Sequence, residues 1–136
     1  MNQLPGLISA IETAGSIALV EVAVDARRYT ATLIGVNEEI GSWHVGMPVR
    51  LLFKETEVSL AKQLSGLISM RNRIPAVITA IERGRLLAKI GLDANGHAIS
   101  AIITTGSSHL LQLAIGDEVE GLVKANEMTV MPERSA

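Results

Sequence analysis

The chain repeats itself, and that constrains its fold more than any other feature. Asn2-Gln3-Leu4-Pro5-Gly6-Leu7-Ile8-Ser9-Ala10-Ile11-Glu12 returns as Asn72-Arg73-Ile74-Pro75-Ala76-Val77-Ile78-Thr79-Ala80-Ile81-Glu82, an offset of 70 residues from Asn2 to Asn72. The offset reads as 68 at Asp25-Ala26 and Asp93-Ala94, which implies two extra residues in the first copy, and it is 70 again at Gly46 and Gly116, Val49 and Val119, Leu52 and Leu122, and Lys54 and Lys124. Landmarks kept through small length changes in turns mark a duplication. Two like units then share 136 residues. The reading assigns 1–63 to the first repeat, 69–132 to the second and 64–68 to a linker, whose apolar residues are expected to pack.

Each copy has the pattern of a β unit. Leu7 to Ile11 and Ala76 to Ile81 are aliphatic and β-branched and follow a proline, as strand starts do. Ile17 to Val24, broken by Glu21, and Leu86 to Leu92, broken by Lys89, predict second strands. Their turns are Asp25-Ala26-Arg27-Arg28 and Asp93-Ala94-Asn95-Gly96, the latter ending in the Asn-Gly hairpin signal. Thr30 to Ile34 and Ala98 to Thr104 predict third strands. Polar or helical segments follow at Asn37 to Ser42 and Ser107 to Leu113. Fourth strands are expected over Pro48 to Lys54 and Glu118 to Lys124, and last strands over Glu57 to Leu60 and Glu127 to Met131. Five strands in so short a unit predict an all-β fold of two tandem five-stranded OB-type barrels, each with a short helical segment, because closure removes exposed sheet edges. Such small barrels are marginal alone, so fusion and oligomerisation both help them.

Composition excludes several functions. Aromatic residues are 2% of the chain (Tyr29, Trp43 and Phe53), too few for stacking platforms that hold single-stranded nucleic acid. The net charge of −2 lacks the basic footprint of a duplex binder. There is no cysteine, hence neither disulfide nor thiolate metal site. No signal peptide or apolar stretch of about 20 residues is read, so a cytoplasmic protein without membrane or nucleic-acid partners is expected. His44, His97 and His109 show no metal-ligand spacing, and Trp43 is expected in the core or at a subunit interface. Ser107-Ser108-His109 lacks the strand elbow of a nucleophile, and no glycine run forms a phosphate loop. No enzyme is read.

A resemblance gives these units a family. Ser69-Met70-Arg71-Asn72-Arg73-Ile74-Pro75 is similar to the Ser-Ala-Arg-Asn-x-Leu-x-Gly opening of molbindin (Mop, or TOBE-type) repeats, with Met70 for Ala and Ala76 for Gly. Thr104-Thr105-Gly106-Ser107 resembles the family's Thr-x-x-Ser. Leu113-Ala114-Ile115-Gly116-Asp117-Glu118-Val119 resembles its Leu-x-x-Gly-x-x-Val, and Val123-Lys124-Ala125-Asn126-Glu127-Met128-Thr129-Val130 its closing strand pair. The resemblance implies a tandem di-Mop protein that binds molybdate or tungstate at subunit interfaces of a homo-oligomer, a trimer foremost, as an intracellular store. As an alternative it implies a second role, as the ligand-sensing module of a molybdate-responsive transcription regulator or of a transporter ATPase subunit.

The residues suit a tetrahedral dianion. Ser69, Thr104 and Ser107 carry hydroxyl donors, Lys124 a compact ammonium, and Arg71 a guanidinium that can fork onto two oxygens. Met70 and Ala125 offer main-chain N–H groups. Complete, prearranged donors are needed because a desolvated anion is costly. The first copy departs from the pattern: Met1 stands where the Arg would be, and the third strand exits as Ile34-Gly35-Val36-Asn37. Its Lys54 persists as a weaker candidate, but Glu55 and Glu57 flank it and oppose an anion. The first copy is therefore expected to contribute less.

Overall fold

A computed structural model describes residues 1–35 and 38–133, with main chain only at Glu38 and Glu39. Among the described residues ten strands form: β1 (Asn2–Ala14), β2 (Ile17–Val24), β3 (Arg27–Ile34), β4 (Pro48–Phe53), β5 (Ser59–Ala61), β6 (Asn72–Arg83), β7 (Leu87–Ala94), β8 (His97–Thr104), β9 (Glu118–Val123) and β10 (Thr129–Pro132). Helix α1 covers Thr105–Leu110, and short 3₁₀ turns cover Glu38–Ser42, Glu55–Glu57 and Ala125–Glu127. Of the predicted third-strand exit in the first copy, Val36 and Asn37 lie outside the described residues, as does the expected start of the following segment at Asn37.

The strands make two five-stranded antiparallel sheets, β10-β4-β1-β2-β3 and β5-β9-β6-β7-β8, the all-β, OB-type pair that the repeat predicts. Each sheet takes its fifth strand from the other repeat. β10, at the end of the second copy, pairs with β4 (Val130 opposite Leu51), while β5, at the end of the first, pairs with β9 (Leu60 opposite Gly121). Side chains secure both transfers. Lys62 Nζ donates to the carbonyls of Leu111 and Gln112 and lies 2.9 Å from Asp117 Oδ2, and Arg50 Nε meets Glu133 Oε1 at 2.6 Å.

β1 and β6 are longer than their apolar runs predict, because each serves two neighbours in turn. β1 pairs with β4 from Asn2 to Leu7 and with β2 from Leu7 to Ala14; a register shift between Ile8 and Ala10 bends it from one partner to the other, and β6 does likewise between Ile78 and Ala80. Such bulges turn the corner that curls a sheet. Pro5 and Pro75 are therefore inside the strands, not before them. Each lies in the stretch paired on one side only, where a missing N–H breaks no ladder. Gly6 lies in the same stretch: a Cβ there would stand 2.4 Å from the Ala23 carbonyl oxygen.

The two-residue length difference inferred from Asp25-Ala26 and Asp93-Ala94 is not present. The hairpin closes on Val24 and Arg27 in the first copy and on Ala94 and His97 in the second, so Asp25 corresponds to Asn95 and the offset stays at 70 between Asn2 and Asn72 and between Val24 and Ala94 alike. Asp25 and Asn95 share a left-handed conformation, φ 54° and 53°, which these side chains tolerate, and Gly96 follows at φ 91°. The Asp-Ala identity is a coincidence between a turn and the strand before it.

One aliphatic core runs through both halves: Leu4, Val20, Leu51 and Phe53 share it with Ile74, Ile90, Val123 and Val130. Alternate strand residues supply it, as in Ala18, Val20, Val22 and Val24 of β2. Trp43 is half-buried against it, as expected of a filler. The linker differs from expectation. Leu64 is half-buried, but Leu67 and Ile68 are exposed in the single chain, because a segment that must turn through Gly66 (φ 87°) runs over the surface between sheets.

Two buried asparagines fasten one repeat to the other. Asn72, fully buried, accepts from the Thr30 N–H at 2.8 Å and donates to the Thr30 carbonyl at 2.9 Å. Asn2 does the same to Ser100 of the second copy, at 2.9 and 2.8 Å. Each amide completes both bonds of a strand-like pair, and among the described residues no buried side-chain nitrogen or oxygen lacks a partner.

Candidate anion-binding cleft

The strand exchange and the Asn72 clamp bring the third strand of the first repeat against the end of β9. The 3₁₀ turn Ala125–Glu127 packs on β3, and its counterpart Glu55–Glu57 packs on β8. Where the first of these contacts meets the segment entering β6, a cleft of about 330 Å³ is lined by Thr32, Ser69, Met70, Arg71, Lys124, Ala125 and Asn126. Five of the predicted residues, Ser69, Met70, Arg71, Lys124 and Ala125, thus meet in one place although 55 positions separate Ser69 from Lys124. Ser69, Arg71 and Lys124 are exposed, and Met70 and Ala125 half-buried.

Local structure explains their placement. Lys124 follows β9 in extended conformation (φ −64°, ψ 145°) and caps the 3₁₀ turn, whose first residue is Ala125. Arg71 immediately precedes the clamped Asn72, so its main chain is fixed while its side chain stays free. Thr32 lies two residues beyond Thr30, the partner of that clamp. Neither Arg71 nor Lys124 forms a salt bridge among the described residues, and no carboxylate lines the cleft. Two unpaired cations, two hydroxyls and a carboxamide around a concave surface are the donor set of an anion site.

Thr104 and Ser107 are not in this cleft. Thr104 caps α1, accepting from the Ser107 N–H at 3.1 Å, and its hydroxyl lies 2.8 Å from that of Ser107. Beneath them Arg83 Nε donates to the buried Ser108 hydroxyl at 2.9 Å, which fixes the helix to β6. Lys54 stands at the end of β4, the place that corresponds to Lys124, and is exposed. Thr32 and Asn126 were not legible as site residues. Thr32 belongs to the other repeat, and its role depends on a packing between halves that no motif encodes.

A carboxylate pair lies close by. Glu127, in the 3₁₀ turn of the cleft, has its acidity weakened first by a shared hydrogen bond with its repeat counterpart Glu57, then by desolvation and Glu57's charge, against the pull of Lys124. A folded-state value above the unfolded one means stability present at low pH and lost as pH rises through the raised value. Glu127→Gln is accordingly expected to raise the melting temperature at neutral pH, and the gain should shrink as pH falls through the raised value and be absent below the ordinary carboxylate range. Thermal unfolding of both proteins across that range checks it; an equal shift at both ends would mean that charge is not the cause.

Comparison with known proteins agrees with this architecture. The TOBE domain family matches residues 68–130. The molybdenum import ATP-binding protein ModC of Brucella abortus (strain 2308) is 32% identical over 123 residues, 90% of this chain and 32% of that protein. The molybdenum transport protein ModE of Herbaspirillum seropedicae is 28% identical over 132 residues, 95% of this chain and 49% of that protein. The chain thus spans between about a third and a half of the length of these relatives. Among solved structures, the cytoplasmic molybdate-binding protein ModG with molybdate bound superposes with a TM-score of 0.90 at 22% identity, covering 97% of this chain and 96% of that one. Residues 68–130 therefore match the TOBE domain family, and the whole chain has a fold of two five-stranded units.

Proposed function

We propose that the chain is a tandem di-Mop protein that binds molybdate or tungstate, without catalysis, for intracellular storage and homeostasis in the cytoplasm. The single observation that carries this reading is the cleft holding Arg71 and Lys124 unpaired beside Ser69, Thr32 and main-chain groups at Met70 and Ala125. Its relatives support the choice of ligand: ModC and ModE are named for molybdenum import and transport, and ModG for molybdate.

The anion site is completed by assembly. Leu86, Leu87, Leu110 and Ile115 are exposed in the single chain near α1 and the β6–β7 turn, as a surface covered by another copy would be. In the homo-oligomer, a trimer by family likeness, Thr104 and Ser107 of a neighbouring copy would supply the remaining hydroxyls to the cleft.

Calorimetric titration with molybdate, tungstate and sulfate tests the reading. Saturable heat is expected with the first two, and its absence with both overturns it. A second role has one observation in its favour: the matched relatives are two to three times longer than this chain, so the same cleft could serve as the sensing module of a regulator or transporter ATPase.

A further inference from the structure

The repeat gives the cleft a counterpart around the turn Glu55–Glu57, whose Glu57 reaches Glu127 of the cleft's own turn, and there the chain departs from itself in an ordered way. Lys54 answers to Lys124, but Glu55 stands for Ala125, Ile102 for Thr32 and Met1 for Arg71. The 3₁₀ turn bearing Glu55 packs on β8 as its twin packs on β3, so the frame of the site is kept while its lining is changed.

Glu55 occupies that frame. One carboxylate oxygen lies 2.8 Å from the Met1 amine, the nitrogen that answers to the main-chain nitrogen of Arg71. The other faces Lys89 Nζ at 3.9 Å. The side chain is about three-quarters buried (24% exposed), and its acidity is strengthened chiefly by the hydrogen bond from that amine. A two-oxygen anion is therefore already seated on the nitrogen that answers to Arg71's, carried by the residue whose twin in the cleft is the small Ala125.

We propose that Glu55 is a built-in surrogate anion, which closes the first-repeat counterpart to oxyanions and confines binding of this kind to the Lys124 cleft. The inference rests on the reading of that cleft as an oxyanion site. A tethered carboxylate competes at high effective concentration, and an incoming dianion beside it meets like charge as well as an occupied donor. Glu55 thus determines how many oxyanions a chain holds.

Titration of the full chain with molybdate separates the possibilities. Glu55→Ala is expected to take up an additional equivalent per chain. That gain should persist when Lys124→Ala removes the first site and should disappear when Lys54→Ala is added. Glu55→Gln, which keeps the side-chain volume and removes the charge, guards against misfolding of the Ala variant and should show the same gain more weakly. Heat that is present in the unaltered protein and lost in Lys124→Ala, but unchanged in both folded Glu55 variants, overturns this inference and leaves the anion site standing. No heat from any of these proteins overturns the site and the inference together.

Discussion

Replacing Lys124 by Ala is expected to weaken molybdate binding by roughly 10- to 140-fold, because a hydrogen bond to a charged partner contributes about 1.5–3 kcal/mol and each 1.4 kcal/mol is tenfold. The melting temperature should move little. Lys124 is exposed at a strand end and forms no salt bridge among the described residues, so the folded state gains almost nothing from it. Lys124→Arg separates charge from shape: a planar fork in place of a compact ammonium should recover part of the affinity. Unchanged affinity in Lys124→Ala, measured on protein of unaltered stability, would put the anion elsewhere.

Asn72→Ala should produce the largest loss of stability. It removes a fully buried amide and strands the N–H and the carbonyl of Thr30, both of which it pairs. Each buried group left without a partner costs about 1–3 kcal/mol, so about 3 kcal/mol in total is expected, with the melting temperature falling by about 10 °C. Denaturant unfolding should show a lower midpoint at unchanged slope, the sign of a native state weakened rather than remodelled. A midpoint equal to that of the original protein would mean that water replaces the amide. Because Arg71 precedes Asn72 and Thr32 follows Thr30 by two residues, oxyanion affinity should fall as well.

Much of this architecture was legible in the order of residues, for identifiable reasons. β2 runs from Ile17 to Val24 as its apolar run predicts, and alternate residues of that run are buried, which the run itself does not show. Asn95-Gly96 sits at the tip of its hairpin because only such residues accept consecutive left-handed conformations cheaply. The aliphatic run could not show where β1 ends, because its continuation through Pro5 depends on pairing with one neighbour at a time. The false length change at Asp25 came from matching letters where only the turn geometry carries the correspondence.

The cleft was legible in half. Ser69, Met70, Arg71, Lys124 and Ala125 come from one repeat and carry a recognisable spacing, and they meet. Thr32 contributes from the other repeat through a clamp whose signal, an asparagine at the same place in both copies, had the appearance of part of a ligand motif. Thr104 and Ser107 were selected by the same spacing, yet in the single chain their hydroxyls serve the start of α1. Short motifs record which residues recur; they do not record which surface they face.

The traded strands β5 and β10 carry a last consequence, for unfolding. Neither half keeps a full set of backbone partners once the other opens, since β4 and β9 would each be left with a bare edge. Melting of the halves is thereby coupled: the molecule should come apart in one step, without an intermediate in which a lone unit survives. A cut through residues 64–68 would leave two polypeptides still hooked into each other, as the two hands of a handshake remain joined after the arms are let go.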